Sequence, residues 1–219
     1  MIASTTIHID RTRDALLVID LQNDFLPGGA LAVRGGDEIV EPIARSARSF
    51  ATVVATQDWH PPGHVSFASS HPPRRPFETL ELPHGRQELW PDHCVQGSPG
   101  AALHPGLPDA LVTLILRKGT SREVDSYSAF RENVGPDGHR PSTGLAAWLA
   151  ARGIRRVFLA GLARDFCVRF SAVDAASEGL ETLLLDDLTR AVFPERAAEV
   201  DAALERSGIR IVRARDLAG

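Results

Sequence analysis

Six short apolar runs recur along this chain, and stretches with helical spacing fall between most of them. The runs are Ala15 to Asp20, Thr52 to Thr56, Leu111 to Leu116, Val157 to Gly161, Thr182 to Leu185 and Ile209 to Val212. The first is continuous rather than alternating, the pattern of a strand covered on both faces. Helix candidates are Asp37 to Phe50, with Asp37 as N-cap, and Ser142 to Arg152, stopping near Gly153. Two more are Asp165 to Ser177 and Pro194 to Arg206, the last with proline in its first turn. This rhythm predicts an α/β fold with a mostly parallel, six-stranded sheet and helices on both faces. A length of 219 residues suits one large domain, residues 1–219, and neither an internal repeat nor a Pro/Gly/Ser linker divides it. Residues 61–107, rich in Pro, His and Gly, break the rhythm. A loop region that long inside a compact domain is usually functional, although a flexible insertion with no role has the same composition.

Composition removes several classes of function. The formal net charge is −4 and no run of Lys and Arg occurs, so neither nucleic acid nor an anionic membrane is an expected partner. No apolar stretch is long enough to cross a bilayer. Met1 to Asp14 carries no apolar core of a signal peptide, which points to a cytoplasmic protein. Cys94 and Cys167 are the only cysteines. They lie far apart among unlike neighbours, so free thiols in a reducing compartment are expected rather than a disulfide. Oligomeric state is not legible; a homo-oligomer fits as well as a monomer.

In a parallel sheet, ligands bind at the carboxyl ends of the strands, and polar residues gather there. Asp20 ends the first run, Asp58 and His60 follow the second, Lys118 follows the third and Cys167 comes just after the fourth. Cys167 falls in the first turn of a predicted helix, where unpaired N–H groups favour a thiolate and can hold an oxyanion. A buried cysteine acting as a small hydrophobe fits that position equally well. No histidine lies nearby in sequence, so a partner must come from other strands. Asp20 can take the thiol proton and Lys118 can keep that carboxylate ionised; a structural Asp–Lys pair capping two strands has the same pattern. Asp24, a few residues on, is assigned to the turn.

Asp58-Trp59-His60 points two ligand-type side chains to one side of an extended backbone. His93 can add a third from the long loop. One carboxylate and two imidazoles suit zinc, iron or manganese and leave positions open for water or substrate. Taken alone, an Asp-x-His is more often a strand-end turn with a solvated histidine. His64 is left open as a further ligand or a hydrogen-bond donor. Cys94 is assigned as a packed thiol, and His71, His84, His104 and His139 as surface residues.

Val18-Ile19-Asp20-Leu21-Gln22-Asn23-Asp24-Phe25, then Gly28-Gly29-Ala30-Leu31-Ala32-Val33, closely resembles the opening of the nicotinamidases in the isochorismatase-like cysteine hydrolase superfamily. Thr56-Gln57-Asp58-Trp59-His60-Pro61-Pro62-Gly63-His64-Val65-Ser66-Phe67-Ala68 and Leu89-Trp90-Pro91-Asp92-His93-Cys94-Val95 carry the same likeness. So do Lys118-Gly119, Asp125-Ser126-Tyr127-Ser128-Ala129-Phe130, and Gly161-Leu162-Ala163 leading to Asp165-Phe166-Cys167-Val168. Five motifs in the right order, over nearly the whole chain, are far more specific than any one of them.

The resemblance implies a three-layer α/β/α fold and a catalytic triad on Asp20, Lys118 and Cys167. It implies one divalent metal on Asp58, His60 and His93, zinc first and iron or manganese next. It implies an oxyanion hole from the N–H groups of Ala163 and Cys167, with a cis peptide at Leu162–Ala163. It places Phe25, Trp90 and Tyr127 as aromatic walls of the substrate pocket. The implied reaction is hydrolysis of nicotinamide, and by extension pyrazinamide, through a thioester, giving nicotinate and ammonia from the former. One departure stands out: where the likeness calls for Thr or Ser after Ala163, this chain has Arg164, which leaves the charge at the pocket rim open. Alternatives on the same fold are an amidase for another small amide or carbamoyl compound, isochorismate cleavage, and a non-catalytic binding protein. The first would share the triad; the cysteine and metal set speak against the second, and the intact triad against the third.

Overall fold

The computed structural model describes residues 6–83 and 85–218. Its elements in chain order are β1 (Ile7–His8), β2 (Asp14–Ile19), α1 (Val40–Ala47), β3 (Thr52–Asp58), β4 (Thr79–Leu82), β5 (Gly85–Glu88) and β6 (Leu114–Lys118). There follow α2 (Leu145–Ala151), β7 (Arg156–Leu162), α3 (Arg169–Ser177), β8 (Glu181–Arg190), α4 (Ala197–Arg206), β9 (Arg210–Val212) and β10 (Leu217–Ala218).

Six strands form one sheet in the order β6-β3-β2-β7-β8-β9, and every pairing in it is parallel. The chain leaves the centre through β3 and β6, returns, and leaves the other way through β8 and β9. The direction reverses between β2 and β7, the place where open parallel sheets bind ligands. By the right-handed rule for parallel connections, this strand order sets α1 on one face and α3 and α4 on the other, the three-layer α/β/α arrangement.

The continuous apolar runs have the expected cause. Every residue of β2 and β3 is buried, whereas edge strand β6 alternates and leaves Ile115 exposed. Even Asp14 is buried at the start of β2, where Arg156 of the adjoining strand donates to it (Nε to Oδ1, 3.0 Å).

Several boundaries differ from the sequence reading. The third strand starts at Leu114 because residues 109–111 close a 3-10 turn after Pro108, with Leu111 N–H donating to Pro108 O at 2.9 Å. It then runs to Lys118, which pairs in register with Asp58. Asp37 makes no capping hydrogen bond; it opens a 3-10 turn after Gly36 and adds only first-turn negative charge. The 61–107 region folds more than expected: β4 and β5 form an antiparallel hairpin, and bridges tie His60 to Val95 and Phe67 to Trp90. A two-residue parallel pairing of β1 with β10 was not anticipated. Among the described residues, no helix is long and apolar enough to cross a membrane.

Candidate active site

Four strand ends deliver four polar side chains to one point. Asp20 follows β2 with φ at 46°, Asp58 ends β3 and Lys118 ends β6. Cys167 lies in a buried π-helical turn, Arg164–Val168, between β7 and α3. Lys118 is fully buried and joins the others. Its Nζ lies 2.9 Å from Asp20 Oδ2, touches Asp58 Oδ1, donates to Ser126 O at 3.1 Å and stands 3.4 Å from Cys167 Sγ. Asp20 Oδ1 accepts from Thr56 Oγ1 at 2.6 Å. Its Oδ2 meets Lys118 as an ion pair without a well-angled hydrogen bond. One oxygen each of Asp20 and Asp58 and the Cys167 sulfur lie within 4.8 Å of one another.

Burial dominates the electrostatics. It pushes the Asp20 carboxyl up, against the pull of Lys118. It opposes ionisation of Asp58 as well, but Lys118 and then His60 outweigh it and hold that carboxyl well below the ordinary range. The Lys118 ammonium loses by burial and regains more from Asp20 and Asp58, so it stays charged. The Cys167 thiol is pushed well above its usual value by burial, with Lys118 pulling down and Asp20 pushing further up. The helix start favours a thiolate while burial opposes one, and Lys118 and Asp20 are the charged groups beside the sulfur.

On the other side of Asp58, the donor set suits a metal. Asp58 Oδ2 faces His60 Nε2 at 3.6 Å and His93 Nε2 at 3.9 Å. Ligands about 2.0–2.2 Å from one ion in tetrahedral array stand roughly 3.3–3.6 Å apart. Both imidazoles turn their Nδ1 to a carbonyl, His60 to Gly119 O at 2.9 Å and His93 to Pro91 O at 2.8 Å. With Nδ1–H donating there, each Nε2 presents a lone pair toward Asp58, the usual outer-shell device of metal sites. A Cβ at Gly119 would collide with the His60 ring, so glycine is required there. Burial, with His60 next, holds His93 at about 4, the neutral form that ligates. His60 is also penalised by burial, but Asp58 more than offsets it and raises it; a cation would replace that proton. His64, stacked on His60 with centroids 4.1 Å apart, hydrogen-bonds through Nδ1 to Ser66 Oγ (2.8 Å) and through Nε2 to Val124 O (3.3 Å). Of the other histidines, His139 is exposed, His71 and His104 are partly buried, and His84 lies outside the described residues.

The aromatic residues divide. Trp90 Nε1 donates to Tyr127 OH at 3.3 Å, and Trp90 meets Phe166 edge-on at 4.8 Å. Phe25 packs instead on the edge of His93 at 5.6 Å; no ring contact among those described joins it to Trp90 or Tyr127. The Leu162–Ala163 peptide is cis. The N–H groups of Phe166 and Val168 both donate to Ala163 O. Asp24 serves a turn, accepting from Cys94 N (2.7 Å) and Ala30 N (3.2 Å), and so braces the residue after His93.

Sequence reasoning missed Thr56, Ser126, Phe166, Phe193 and Gln22. The Gln22 amide bonds both the N–H and the C=O of Asp58 at 2.8 Å. One available signal went unused. Lys118 is the only lysine; every other member of the 24 Lys and Arg residues is Arg. A chain that otherwise chooses arginine places its one compact ammonium between two carboxylates and a thiol. Arg164 does not charge the rim: its side chain is buried against Asp186, Thr189 and Asp201.

The isochorismatase domain family matches residues 14–216. A nicotinamidase of Acinetobacter baylyi is 51% identical over 178 residues, covering 81% of each chain. A protein of L. infantum, solved in complex with nicotinate, superposes with a TM-score of 0.86 at 40% identity, covering 97% of this chain and 98% of that one. A pyrazinamidase of Pyrococcus horikoshii, solved in complex with zinc, gives a TM-score of 0.75 at 35% identity, covering 92% and 99%.

Proposed function

The chain belongs to the isochorismatase family, and from that premise we propose that it hydrolyses nicotinamide to nicotinate and ammonia. One observation carries the reading: the Lys118 ammonium joins Asp20 and Cys167 on one side to Asp58, and through it His60 and His93, on the other. A thiol–carboxylate pair can cleave many small amides; the adjoining metal-ligand set selects one with a ring nitrogen. Likeness to nicotinamidases over most of the chain favours this over another amidase of the same fold.

In the proposed mechanism Asp20 takes the Cys167 proton as sulfur attacks the amide carbon. Lys118 keeps Asp20 able to accept it. The N–H groups of Ala163 and Cys167 donate to the oxyanion, each such donor being worth about 3–4 kcal/mol. Asp20 then protonates the departing ammonia, leaving a thioester on Cys167. A water, deprotonated by Asp20, hydrolyses the thioester and restores the thiol. Phe25, Trp90 and Tyr127 wall the ring. A divalent cation held by Asp58, His60 and His93, zinc before iron or manganese, would supply a Lewis-acid anchor for the pyridine nitrogen. Pyrazinamide, with a nitrogen at the same ring position, is the second expected substrate.

We read residues 1–219 as one domain and residues 61–107 as its active-site loop region, since that region supplies both His93 and Trp90. The reaction would place the chain in NAD salvage in the cytoplasm, where two unpaired thiols stay reduced. The deciding experiment measures ammonia release from nicotinamide, pyrazinamide and benzamide, with and without chelator, alongside Cys167→Ala. Release from the two ring-nitrogen amides, lost in the variant and weakened by chelator, is expected. Equal turnover of benzamide, or activity surviving in Cys167→Ala, would overturn the assignment.

A further inference from the structure

The turn that carries Cys167 is fastened from outside the pocket by two consecutive side chains. Arg164 donates through Nε and Nη2 to Asp201 Oδ1 on α4, at 3.2 and 2.7 Å. Its Nη1 donates to Thr189 Oγ1 at 2.9 Å and lies 3.1 Å from Asp186 Oδ1, both on β8. Asp165 accepts the N–H groups of Val192 at 3.0 Å and Phe193 at 2.8 Å. The turn is thus tied to β8, to the strand-to-helix link after it and to α4. The Phe193 ring lies 6.0 Å from Phe166 and 6.5 Å from Trp90, so the same ties locate part of the aromatic wall.

We propose that Arg164 is a positioning residue for the nucleophile, setting Cys167 through its fork of contacts to Asp201, Thr189 and Asp186. The proposal rests on the reading of Cys167 as that nucleophile. Three features argue for positioning over a passive ion pair. The Arg164 side chain is only 8% exposed while Asp186 and Asp201 are 40% and 39% exposed, so a buried fork is held by two anchors at the surface. The fork reaches two elements at once, which a lysine ammonium at the end of a flexible stem does not reproduce. The turn is π-helical, and Phe166 and Val168 share the Ala163 carbonyl, so side-chain ties contribute to where the sulfur stands. A displacement of about 1 Å at a reacting atom is enough for a 100-fold loss of rate.

The test compares Arg164→Met, Arg164→Lys and Asp201→Asn in the metal-loaded full chain. Removing the guanidinium leaves its two carboxylate partners in contact with water, so the fold is expected to persist. For Arg164→Met and Arg164→Lys we expect kcat for nicotinamide to fall by about 10- to 100-fold. KM should move by less than about threefold, within uniform-binding effects. Alkylation of Cys167 by chloroacetamide, located by mass spectrometry, should change in parallel with kcat, and metal content should not change. Arg164→Met that keeps kcat and alkylation within about twofold of the parent while only its melting temperature falls would reduce Arg164 to a structural ion pair. Full rescue by Arg164→Lys would equally remove the fork from the argument. If Arg164→Met does not fold, Asp201→Asn, which keeps the guanidinium and Thr189, decides on the same two rates. Cys167→Ala, run beside them, separates the premise: turnover surviving there defeats the nucleophile, whatever the Arg164 variants do.

Discussion

Cys94 and Cys167 are both buried and both carry thiols that burial pushes well above the ordinary value. They differ in what comes next. For Cys94 the further influences are the carboxylates of Asp58, Asp20 and Asp24, all pushing the same way, with Lys118 the weakest. For Cys167 the second influence is the Lys118 ammonium, 3.4 Å away and pulling down. Cys94 is used through its backbone: its N–H donates to Asp24 and its C=O accepts from His60 N–H at 3.0 Å, bracing the turn beside His93. Enclosure therefore does not make a thiol reactive or inert. What separates the two turns is a touching cation with a carboxylate close by, and of the pair only the Cys167 turn has both.

The strongest way to break this contrast is to delete each sulfur. Cys167→Ala should lower kcat for ammonia release by about 10⁴-fold or more, as loss of a nucleophile does elsewhere. Cys94→Ala should stay within a few-fold, with a stability loss of about 1 kcal/mol from a small buried group. Comparable losses in both would erase the distinction. Lys118→Met comes next. It strands Asp20 and Asp58 in a dry site, so a destabilisation of about 3–5 kcal/mol is expected in denaturant unfolding, with turnover lost. In the folded fraction, alkylation of Cys167 should slow while Cys94 stays unreactive; slowing at neither would mean that the cation does not govern the sulfur.

The contrast was only half legible in the sequence. Continuous apolar runs located the sheet because strands covered on both faces carry no polar alternation; β2 and β3 obey this. Edge strand β6 does not, and its start was misplaced by three residues because apolar Leu111 and Val112 belong to a turn after Pro108. Strand ends led to Asp20, Asp58, Lys118 and Cys167, since a parallel sheet must deliver its ligand-binding groups there. The burial that opposes a thiolate at Cys167 was not legible, because a helix start is visible in sequence and enclosure by distant elements is not. The partners that tune the site, Thr56, Gln22 and Ser126, act through contacts between residues at least eight positions apart. The place of Arg164 stayed open for the same reason: nothing local says that β8 and α4 supply it with acceptors.

The smallest expected effect concerns pH, and it separates enclosure from helix-start activation. If the helix start governed Cys167, its alkylation rate would level off by about pH 7, as for low-pKa thiols. With the thiol held above its ordinary value, the thiolate fraction instead grows about tenfold per pH unit through and beyond the usual thiol range of roughly 8.5. The rate should therefore still be rising at alkaline pH. The same shift fixes the sign of a stability effect. Between the unfolded and the folded thiol values the native state holds a proton that the unfolded chain has released, so this contribution is intact below the unfolded value and declines as pH rises above it. Cys167→Ala removes that term, so melting temperatures of the parent should fall more steeply above about pH 9 than those of the variant. Parallel slopes, together with an alkylation plateau near neutrality, would return the thiolate to the resting enzyme and make Asp20 a spectator in the first proton transfer.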